Sequence, residues 1–252
     1  MNLVVVGMGY VGLVAACCLA NSGHRVFAVD KDATKLRILK QGKIPFYEEG
    51  LNTLLQKAMN KRSLFFTSNL ATALQDSTIV IVAVGTPSLP DGRVDLSQVY
   101  GVVQEIVQHV RRETIIVMKS TVPPGTGRSI SKNFLSSCQM PILYISNPEF
   151  LREGRAVSDW YHPDRIVVGC NDEMAAKKVI ELYADIEAPK IVMDITSAEM
   201  VKYASNAFLA TKISFINEIA NLCELLKADI DKVVPALGMD HRIGPHFLQP
   251  GI

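Results

Sequence analysis

The sequence predicts an α/β fold, in which a doubly wound, mostly parallel Rossmann-type sheet is followed by a long central helix and a short helical segment. Three observations predict it. Short apolar runs alternate with amphipathic stretches, a glycine-rich turn follows the first run, and an uninterrupted helical pattern begins near residue 195. The 252 residues, of which 48% are hydrophobic and 20% charged, are enough to bury a sizeable core.

Seven apolar, β-rich runs predict the strands, because strands covered on both faces avoid polar residues throughout. They are LVVV (3–6), RVFAV (25–29), IVIVAV (79–84), TIIVM (114–118), ILYI (142–145), RIVVG (165–169) and KIVM (190–193). The stretches between them predict helices at 10–22, 31–41, 48–60, 95–111, 126–136 and 172–185. This alternation implies a parallel sheet with right-handed crossovers.

The pattern changes at TSAE (196–199), which is typical of a capping box: Thr196 accepts from the Glu199 amide while the Glu199 side chain reaches back. No Gly or Pro follows until after Lys227, which predicts a helix of about thirty residues, roughly 45 Å long. Such a helix either packs within one subunit or is shared with a second, and the spacing does not choose between them.

A shorter helix, broken or capped around Pro235 and Gly238, is expected before the terminal segment. We therefore predict two domains: a dinucleotide-binding domain at 1–194 and a central helical region at 195–252, for which dimerisation is one of the two alternatives.

Composition excludes several function classes. The formal net charge of +1 creates no overall field that would attract nucleic acid or an anionic membrane, so we expect neither as a partner. The five cysteines have no CxxC spacing, which indicates reduced thiols rather than a disulfide framework or a metal site. The apolar N-terminus lacks the basic residues of a signal peptide, and no run is long enough to span a membrane. The sequence thus favours a cytoplasmic protein.

The glycines of GMGYVG follow the first strand and open the first helix. Gly7 permits a tight turn, Gly9 lets the backbone approach a pyrophosphate, and Gly12 lets helix and strand pack closely. The exposed amides and the positive helix end then favour the anion. The context makes a dinucleotide site the prediction here.

Asp30 ends the second strand, where it can accept a hydrogen bond from a ribose hydroxyl. An acid there repels a 2′-phosphate, so NAD is favoured over NADP, although Lys31 and Lys35 soften that preference. The loops after two later strands, at Thr86 and at Ser120-Thr121, also lie where an open α/β sheet binds ligands. Either loop taken alone could be only a turn.

Two further segments carry polar groups suited to chemistry. NPEFLREG (147–154) places Glu149 and Glu153 four apart, which is one face if the segment is helical, although exposed carboxylates on a turn are often only solvated. Lys202 and Asn206 lie four apart on the long helix. A lysine near an apolar wall and carboxylates is suited to stabilising developing charge.

A set of motifs occurs in one order over nearly the whole chain: GMGYVGL, IPFYEEGL (44–51), VGTP, DGRVDLS (91–97), STVPPGT, NPEFLREG, HPDRIVVG (162–169), VKYASNAFLATKISFINE (201–218) and HRIGPHFL (241–248). With these motifs the chain resembles the UDP-glucose dehydrogenase family of nucleotide-sugar dehydrogenases. The resemblance implies NAD as cofactor and UDP-glucose or a related nucleotide sugar as substrate. The family oxidises the sugar's primary alcohol to a carboxylate in two hydride transfers, through a cysteine-bound thiohemiacetal and thioester.

The resemblance also implies roles for individual residues. Glu149 would be the acid/base, directly or through water, Lys202 and Asn206 would stabilise oxyanions, and Thr121 would position a water or the cofactor. The implied cofactor contacts are Gly7, Gly9, Tyr10, Val11, Gly12, Asp30, Lys35, Thr86, Thr121 and Glu153. The implied substrate contacts are Phe150, Leu151, Arg152, Glu153, Lys202, Asn206, Arg242, Phe247 and Leu248. By analogy, a homodimer would form through the long helix.

The family pattern continues past this chain into a GGSCFPKD-type segment, which supplies the nucleophilic cysteine, and into a further nucleotide-binding domain. Neither occurs before Ile252, and none of the five cysteines lies in a matching motif. We therefore expect a truncated chain that binds NAD but makes no UDP-glucuronate alone. The alternatives are a non-catalytic NAD-binding and dimerisation module, half of a split enzyme, a dehydrogenase for another nucleotide sugar, or a β-hydroxyacid dehydrogenase relative.

Overall fold

The computed structural model describes residues 1–251 and contains one eight-stranded sheet. The strands are β1 (Asn2–Val6), β2 (Arg25–Val29), β3 (Leu64–Thr67), β4 (Ile79–Val82), β5 (Thr114–Met118), β6 (Ile142–Ser146), β7 (Ile166–Gly169) and β8 (Lys190–Met193). Their order across the sheet is β3-β2-β1-β4-β5-β6-β7-β8. All neighbours are parallel except β6 and β7, which run antiparallel and share a single register pair, Ser146 with Gly169.

Helices connect the strands and cover both faces. They are α1 (Tyr10–Asn21), α2 (Ala33–Lys40), α3 (Leu51–Asn60), α4 (Leu70–Leu74), α5 (Ser97–His109), α6 (Thr126–Ile130), α7 (Ala156–Tyr161), α8 (Glu173–Ile180), α9 (Ile195–Leu226) and α10 (Ile230–Gly238). A π-helical turn (Ser131–Leu135) extends α6, and a 3₁₀ turn (Glu181–Tyr183) extends α8. The predicted fold class, a mostly parallel Rossmann-type sheet with a long helix after it, is confirmed.

Two hydrophobic cores lie on opposite faces of the sheet. The first contains Leu3 and Val5 of β1, and the second contains Val4 and Val6 of the same strand. Since successive side chains of a strand point to opposite faces, an apolar run fills both cores at once. This explains why the central strands carry polar residues only at their ends.

The structure differs from the sequence prediction in several elements. Strand β3 and the short helices α4 and α7 were not predicted, because four to six residues are too few for a clear period. Strand β8 was expected to be covered on both faces, but it lies at the sheet edge with Ile191 and Val192 substantially exposed. Pro235 lies inside α10, and Gly238 is its last residue.

The predicted capping box at TSAE is wrong. The Asp194 carboxylate accepts from the amide and hydroxyl of Ser197 and so caps α9 from two residues upstream of Thr196. The Glu199 carboxylate instead accepts from the amides of Gly125 and Gly127. Donors brought close by the tertiary fold have displaced the local partner.

The contacts divide the chain into two compact units, Met1–Met200 and a second that begins at Val201. The predicted boundary between 194 and 195 stays a prediction. In the second unit, an amide pair joins Asn217 to the backbone of Gly251, and the ammonium of Lys212 donates to the Ile243 carbonyl. Within residues 1–251, no helix combines the length and the apolar character needed to cross a membrane.

Candidate functional site

The glycine loop joins β1 to α1 at the point where the strand order reverses. Gly7 has φ +95°, and a Cβ there would lie 2.5 Å from the Ala83 carbonyl oxygen. A Cβ on Gly12 would lie 1.8 Å from the Gly7 carbonyl oxygen. Both positions therefore exclude any side chain. Next to them, a Cβ on Gly9 would meet no atom within 4 Å, so the backbone opens onto free space where α1 begins.

Asp30 lies directly beyond β2 and is buried. Its Oδ2 accepts from the Met8 amide at 2.7 Å and from the Lys35 ammonium at 2.9 Å, while Oδ1 accepts from the Asp32 amide at 2.9 Å. Burial alone would raise the pKa of Asp30, but the amides of Asp32 and Met8 and the charge of Lys35 outweigh it and hold that pKa below its ordinary range. The carboxylate is thus held ionised against the glycine loop.

Lys35 is engaged with this carboxylate, whereas Lys31 is exposed. The ammonium of Lys35 lies 2.9 Å from Asp30, so its charge compensates the acid. This ion pair is a physical reason why Asp30 would repel a 2′-phosphate less strongly than an unpaired carboxylate would. The predicted cofactor contact of Lys35 itself stays a prediction.

The loops after β4 and β5 are tied to one another. The Thr86 hydroxyl donates to the Thr121 carbonyl at 3.0 Å, and the Ser120 hydroxyl donates to the Val84 carbonyl at 2.7 Å. Both loops follow the carboxyl ends of neighbouring parallel strands. The structure therefore brings the two predicted loops together at the ligand-binding edge of the sheet.

The segment NPEFLREG follows β6 and is not helical, so the conditional placement of Glu149 and Glu153 on one helical face does not apply. Pro148 disfavours helix before it, and Gly154 has φ +83°, a conformation that ends the segment in a turn. Glu149 is buried, and its Oε2 accepts from the Leu151 amide at 2.5 Å. Glu153 is exposed.

The side chains of Phe150 and Arg152 make contacts within the first unit. The guanidinium of Arg165 lies 3.7 Å from the centre of the Phe150 ring. Arg152 forms two parallel hydrogen bonds to Asp159, which also accepts from the Arg152 amide. These contacts leave backbone groups of the segment as the better candidates for binding a ligand.

Two buried carboxylates that sequence reasoning did not place in the site hold these loops. Glu48 accepts from the amides of Gly154 and Val157 and so fixes the start of α7. Glu199 accepts from the amides of Gly125 and Gly127 at 2.7 Å each and from the Tyr144 hydroxyl. Burial raises the pKa of Glu199, and these bonds offset only part of that effect.

Tyr10, the residue after Gly9, is close enough to the NPEFLREG loop to be affected by its charge. Burial, together with the negative charges of Glu149, Glu153 and Glu48, raises the pKa of Tyr10 to about 12. The phenol thus stays protonated where the glycine loop meets the carboxylates. Val11, the next predicted cofactor contact, is partly buried in the first turn of α1.

The remaining predicted residues lie in the second unit. Lys202 is only 7% exposed, whereas Asn206, one turn further along α9, is exposed. Arg242 is paired with Asp240, and Phe247 has φ +61°. Leu248 is buried beside Gly238. Their contacts with substrate stay a prediction.

The two cysteines of the first helix fit a structural role. Cys17 and Cys18 are fully buried in α1, and burial raises the pKa of both thiols, that of Cys18 to about 12. Such thiols are poor nucleophiles. All five cysteines of the chain are free, as the sequence predicts.

The reversed strand order, the glycine loop and the acid after β2 together define a dinucleotide-binding protein of the Rossmann class. The chain belongs to the UDP-glucose/GDP-mannose dehydrogenase family: residues 1–187 match its NAD binding domain and residues 196–252 match its central domain. This family match goes against the β-hydroxyacid dehydrogenase alternative.

Individual relatives agree with this assignment. The chain is 46% identical to UDP-glucose 6-dehydrogenase YwqF of Bacillus subtilis (strain 168), over 100% of the chain and 58% of that protein. It resembles the solved UDP-glucose dehydrogenase of Pyrobaculum islandicum at 40% identity and a TM-score of 0.93, over 99% of this chain and 59% of that one.

A GDP-mannose dehydrogenase from Pseudomonas aeruginosa, solved as a ternary complex, matches at 33% identity with a TM-score of 0.89, over 100% of this chain and 60% of that one. The chain thus spans less than two thirds of the length of these relatives.

Proposed function

We propose that the chain supplies the NAD-binding and central parts of a UDP-glucose 6-dehydrogenase, which oxidises UDP-glucose to UDP-glucuronate in two hydride transfers. The observation that carries the proposal is the 46% identity, over the whole chain, with a protein of that name. Further full-chain relatives with the same name come from Rhizobium meliloti and Pseudomonas aeruginosa. The free thiols are compatible with a reducing, cytoplasmic setting.

The residues present fit NAD. Gly9 leaves open space at the start of α1, where a pyrophosphate would bind with Tyr10 and Val11 beside it, and Asp30 would accept from the adenosine ribose. Thr86 and Thr121 lie beyond β4 and β5, on the opposite side of the reversal in strand order. When bound, NAD would supply the hydride acceptor.

The chemical groups divide into a base and a set of donors. The buried Glu149 carboxylate would take the proton of the sugar hydroxyl, directly or through a water positioned by Thr121. The ammonium of Lys202 and the amide of Asn206 would donate to the oxygen on which negative charge develops. Their spacing of four residues on α9 puts both groups on one helix face.

Substrate contacts would come from two segments. The backbone of Phe150, Leu151, Arg152 and Glu153 would bind the sugar nucleotide, since the Arg152 side chain is engaged with Asp159. Arg242, Phe247 and Leu248 would contribute from the segment after α10. Arg242 would have to exchange its Asp240 partner for the ligand, because the pair uses two of its guanidinium nitrogens.

The long helix offers the surface for a homodimer. Its exposed large hydrophobic residues are Met200, Phe208, Ile213, Phe215, Leu222, Leu225 and Leu226. A helix this apolar on its exposed surface favours association. Sedimentation at micromolar concentration tests the proposal: a dimer is expected, and a monomer there would contradict it.

GDP-mannose is the second candidate substrate, because a GDP-mannose dehydrogenase matches the whole chain at 33% identity. The assay that separates them uses the complete gene product containing these residues, with NAD and either sugar nucleotide. UDP-glucose should yield two NADH for each UDP-glucuronate, and GDP-mannose little. Preferential turnover of GDP-mannose would overturn the assignment.

The role of Glu149 is tested in the same assay. Glu149→Gln should lower kcat at least about a hundredfold, since a positioned general base contributes about that factor. Glu173→Gln, at an exposed carboxylate of α8 with no role in the proposed site, is the control and should lose far less. Equal losses in the two variants would argue against Glu149 as the base.

A further inference from the structure

Lys119 is a buried amine at the carboxyl end of β5, where a hydrophobic residue would be expected. It is 4% exposed, and its Nζ donates to the Tyr183 hydroxyl at 3.1 Å and to Asn147 Oδ1 at 3.2 Å. The rings of Trp160 and Tyr183 lie 5.3 and 5.6 Å from it. In the described part of the chain, its polar partners are thus neutral oxygens rather than carboxylates.

Asn147 is the centre of this buried cluster. Its Oδ1 also accepts from the Tyr183 hydroxyl at 2.5 Å, and its Nδ2 donates to the Val167 carbonyl at 2.9 Å. Its backbone amide donates to the Met118 carbonyl in the last position of β5. Through its side chain and its backbone, Asn147 therefore joins the ends of β5 and β6 to β7 and to the turn after α8.

The cluster lies where the sheet is weakest. Strands β6 and β7 run antiparallel and share one register pair, so few backbone hydrogen bonds fix their relative position. The bond from Asn147 to Val167 supplies a cross-strand contact there. Lys119 and Asn147 follow the last register pair of β5 and β6, Met118 with Ser146, so they occupy the next position of both strands.

Two loops begin at this position. Thr121 is two residues beyond Lys119, and Glu149 is two residues beyond Asn147. Because Nζ bonds directly to Oδ1, the amine links the start of one loop to the start of the other. A side-chain contact between their first residues therefore holds the loops after β5 and β6 together.

Burying an amine costs more than burying an apolar side chain of the same size, so stability alone does not explain Lys119. Buried polar side chains that cost stability in this way are concentrated at functional sites. The strand order indicates which half of a dinucleotide Lys119 would affect. Asp30, after β2, lies on the adenosine side of the reversal between β1 and β4. The ends of β4, β5 and β6 lie on the other side.

We propose that Lys119 is a positioning residue for the nicotinamide half of the cofactor site, acting through Asn147 on the loops that carry Thr121 and Glu149. The proposal rests on the proposed function, because it assumes that NAD binds across the strand reversal. It distinguishes the two halves of the site: Asp30 serves the adenosine half by direct contact, and Lys119 serves the nicotinamide half indirectly.

The test compares NAD with ADP-ribose, which lacks the nicotinamide, by calorimetry on the 252-residue chain, and records the fluorescence of bound NADH. Lys119→Met keeps the side-chain length and removes the amine. It should weaken NAD about five- to tenfold, the effect of one lost buried hydrogen bond, and change ADP-ribose less than about twofold. The fluorescence of bound NADH should also change.

Tyr183→Phe, which keeps the ring and removes only the hydroxyl, should show the same selective loss and guards against misfolding of the first variant. Lys178→Met, at a half-exposed lysine paired with Glu113 on the surface, should change neither ligand. Asp30→Asn should weaken both ligands by the same factor, which separates the two halves of the site.

Equal weakening of NAD and ADP-ribose by Lys119→Met, or no effect of both Lys119→Met and Tyr183→Phe, would overturn the inference. So would unmodified protein that binds NAD and ADP-ribose equally and leaves NADH fluorescence unchanged. If the unmodified chain bound neither ligand, the proposed function would fail first and the inference with it.

Discussion

The loops after β1 and β6 are held in place by different kinds of contact. The glycine loop is fixed by its own residues and by the end of the next strand: Gly12 packs on Gly7, and Asp30, directly after β2, accepts from Met8. The NPEFLREG loop is fixed by side chains that other elements supply. Glu48 binds its far end across 106 positions, and Lys119 binds Asn147 across 28.

This difference explains which loop a sequence motif can describe. The close packing of Gly12 on Gly7 follows from the spacing of the loop's own glycines, although both glycines also lie close to a distant residue, Ala83. The second loop has no such internal pattern, because its conformation depends on carboxylate and amine partners supplied by other elements. Substitutions in the glycines should therefore act locally, whereas substitutions at Glu48 should act at a distance.

The largest effect is expected from Gly12→Ala. The new Cβ would lie 1.8 Å from a backbone oxygen, which no side-chain movement can relieve, so the loop must shift. We expect a loss of about 3 kcal/mol in the free energy of unfolding, measured by urea denaturation, and loss of NAD binding. Gly101→Ala in α5 is the control, because its Cβ would meet no atom within 4 Å.

Gly101→Ala should stabilise the protein by about 0.5–1 kcal/mol, because alanine favours a helix interior over glycine. Destabilisation of similar size by both substitutions would show that the contact with Gly7 does not matter.

The next effect is expected from Glu48→Gln. The amide side chain has one acceptor oxygen for two backbone donors, and its NH₂ group would face one of them. We expect a loss of about 2 kcal/mol in the free energy of unfolding. Hydrogen exchange at the Gly154 and Val157 amides should accelerate by the factor that corresponds to a similar loss of free energy.

Glu49→Gln is the matched control for this variant, since its side chain is adjacent in sequence and exposed. It should stay within about 0.5 kcal/mol of the unmodified protein. If hydrogen exchange at the Gly154 amide were as slow in Glu48→Gln as in the unmodified protein, Glu48 would not be the residue that holds this loop.

The smallest effect is expected from Asp30→Asn, which removes the ion pair with Lys35 but keeps an acceptor. At pH 7 it should cost about 1 kcal/mol of unfolding free energy, since Lys35 is partly solvated. Because the folded pKa of Asp30 is lowered, its stabilisation is fully present above the ordinary value of 3.8 and is lost as pH falls through the folded value.

Urea unfolding of both proteins between pH 7 and pH 2 checks the sign. The difference between unmodified protein and Asp30→Asn should be constant at neutral pH and shrink below pH 3.8. A difference that grew with acidity would mean that the carboxylate is not stabilised by its partners.

The sequence predicts the central strands, the long helix and the glycine loop, because each depends on a repeating or local pattern. It misses β3, whose four residues follow the polar stretch KRS, and it misassigns Glu199, whose partners Gly125 and Gly127 are more than seventy positions away. Lys119 carried one available signal: a lysine directly after an apolar strand. Its partner Tyr183 could not be predicted from that.

The central claim is that the glycine loop and Asp30 make this chain an NAD-binding unit. Calorimetric titration of the 252-residue chain with NAD, followed by UDP-glucose, tests it most directly. Saturable binding of one NAD per chain, abolished in Gly12→Ala and retained in Gly101→Ala, is the predicted result. A folded, unmodified chain that takes up no NAD would contradict the account.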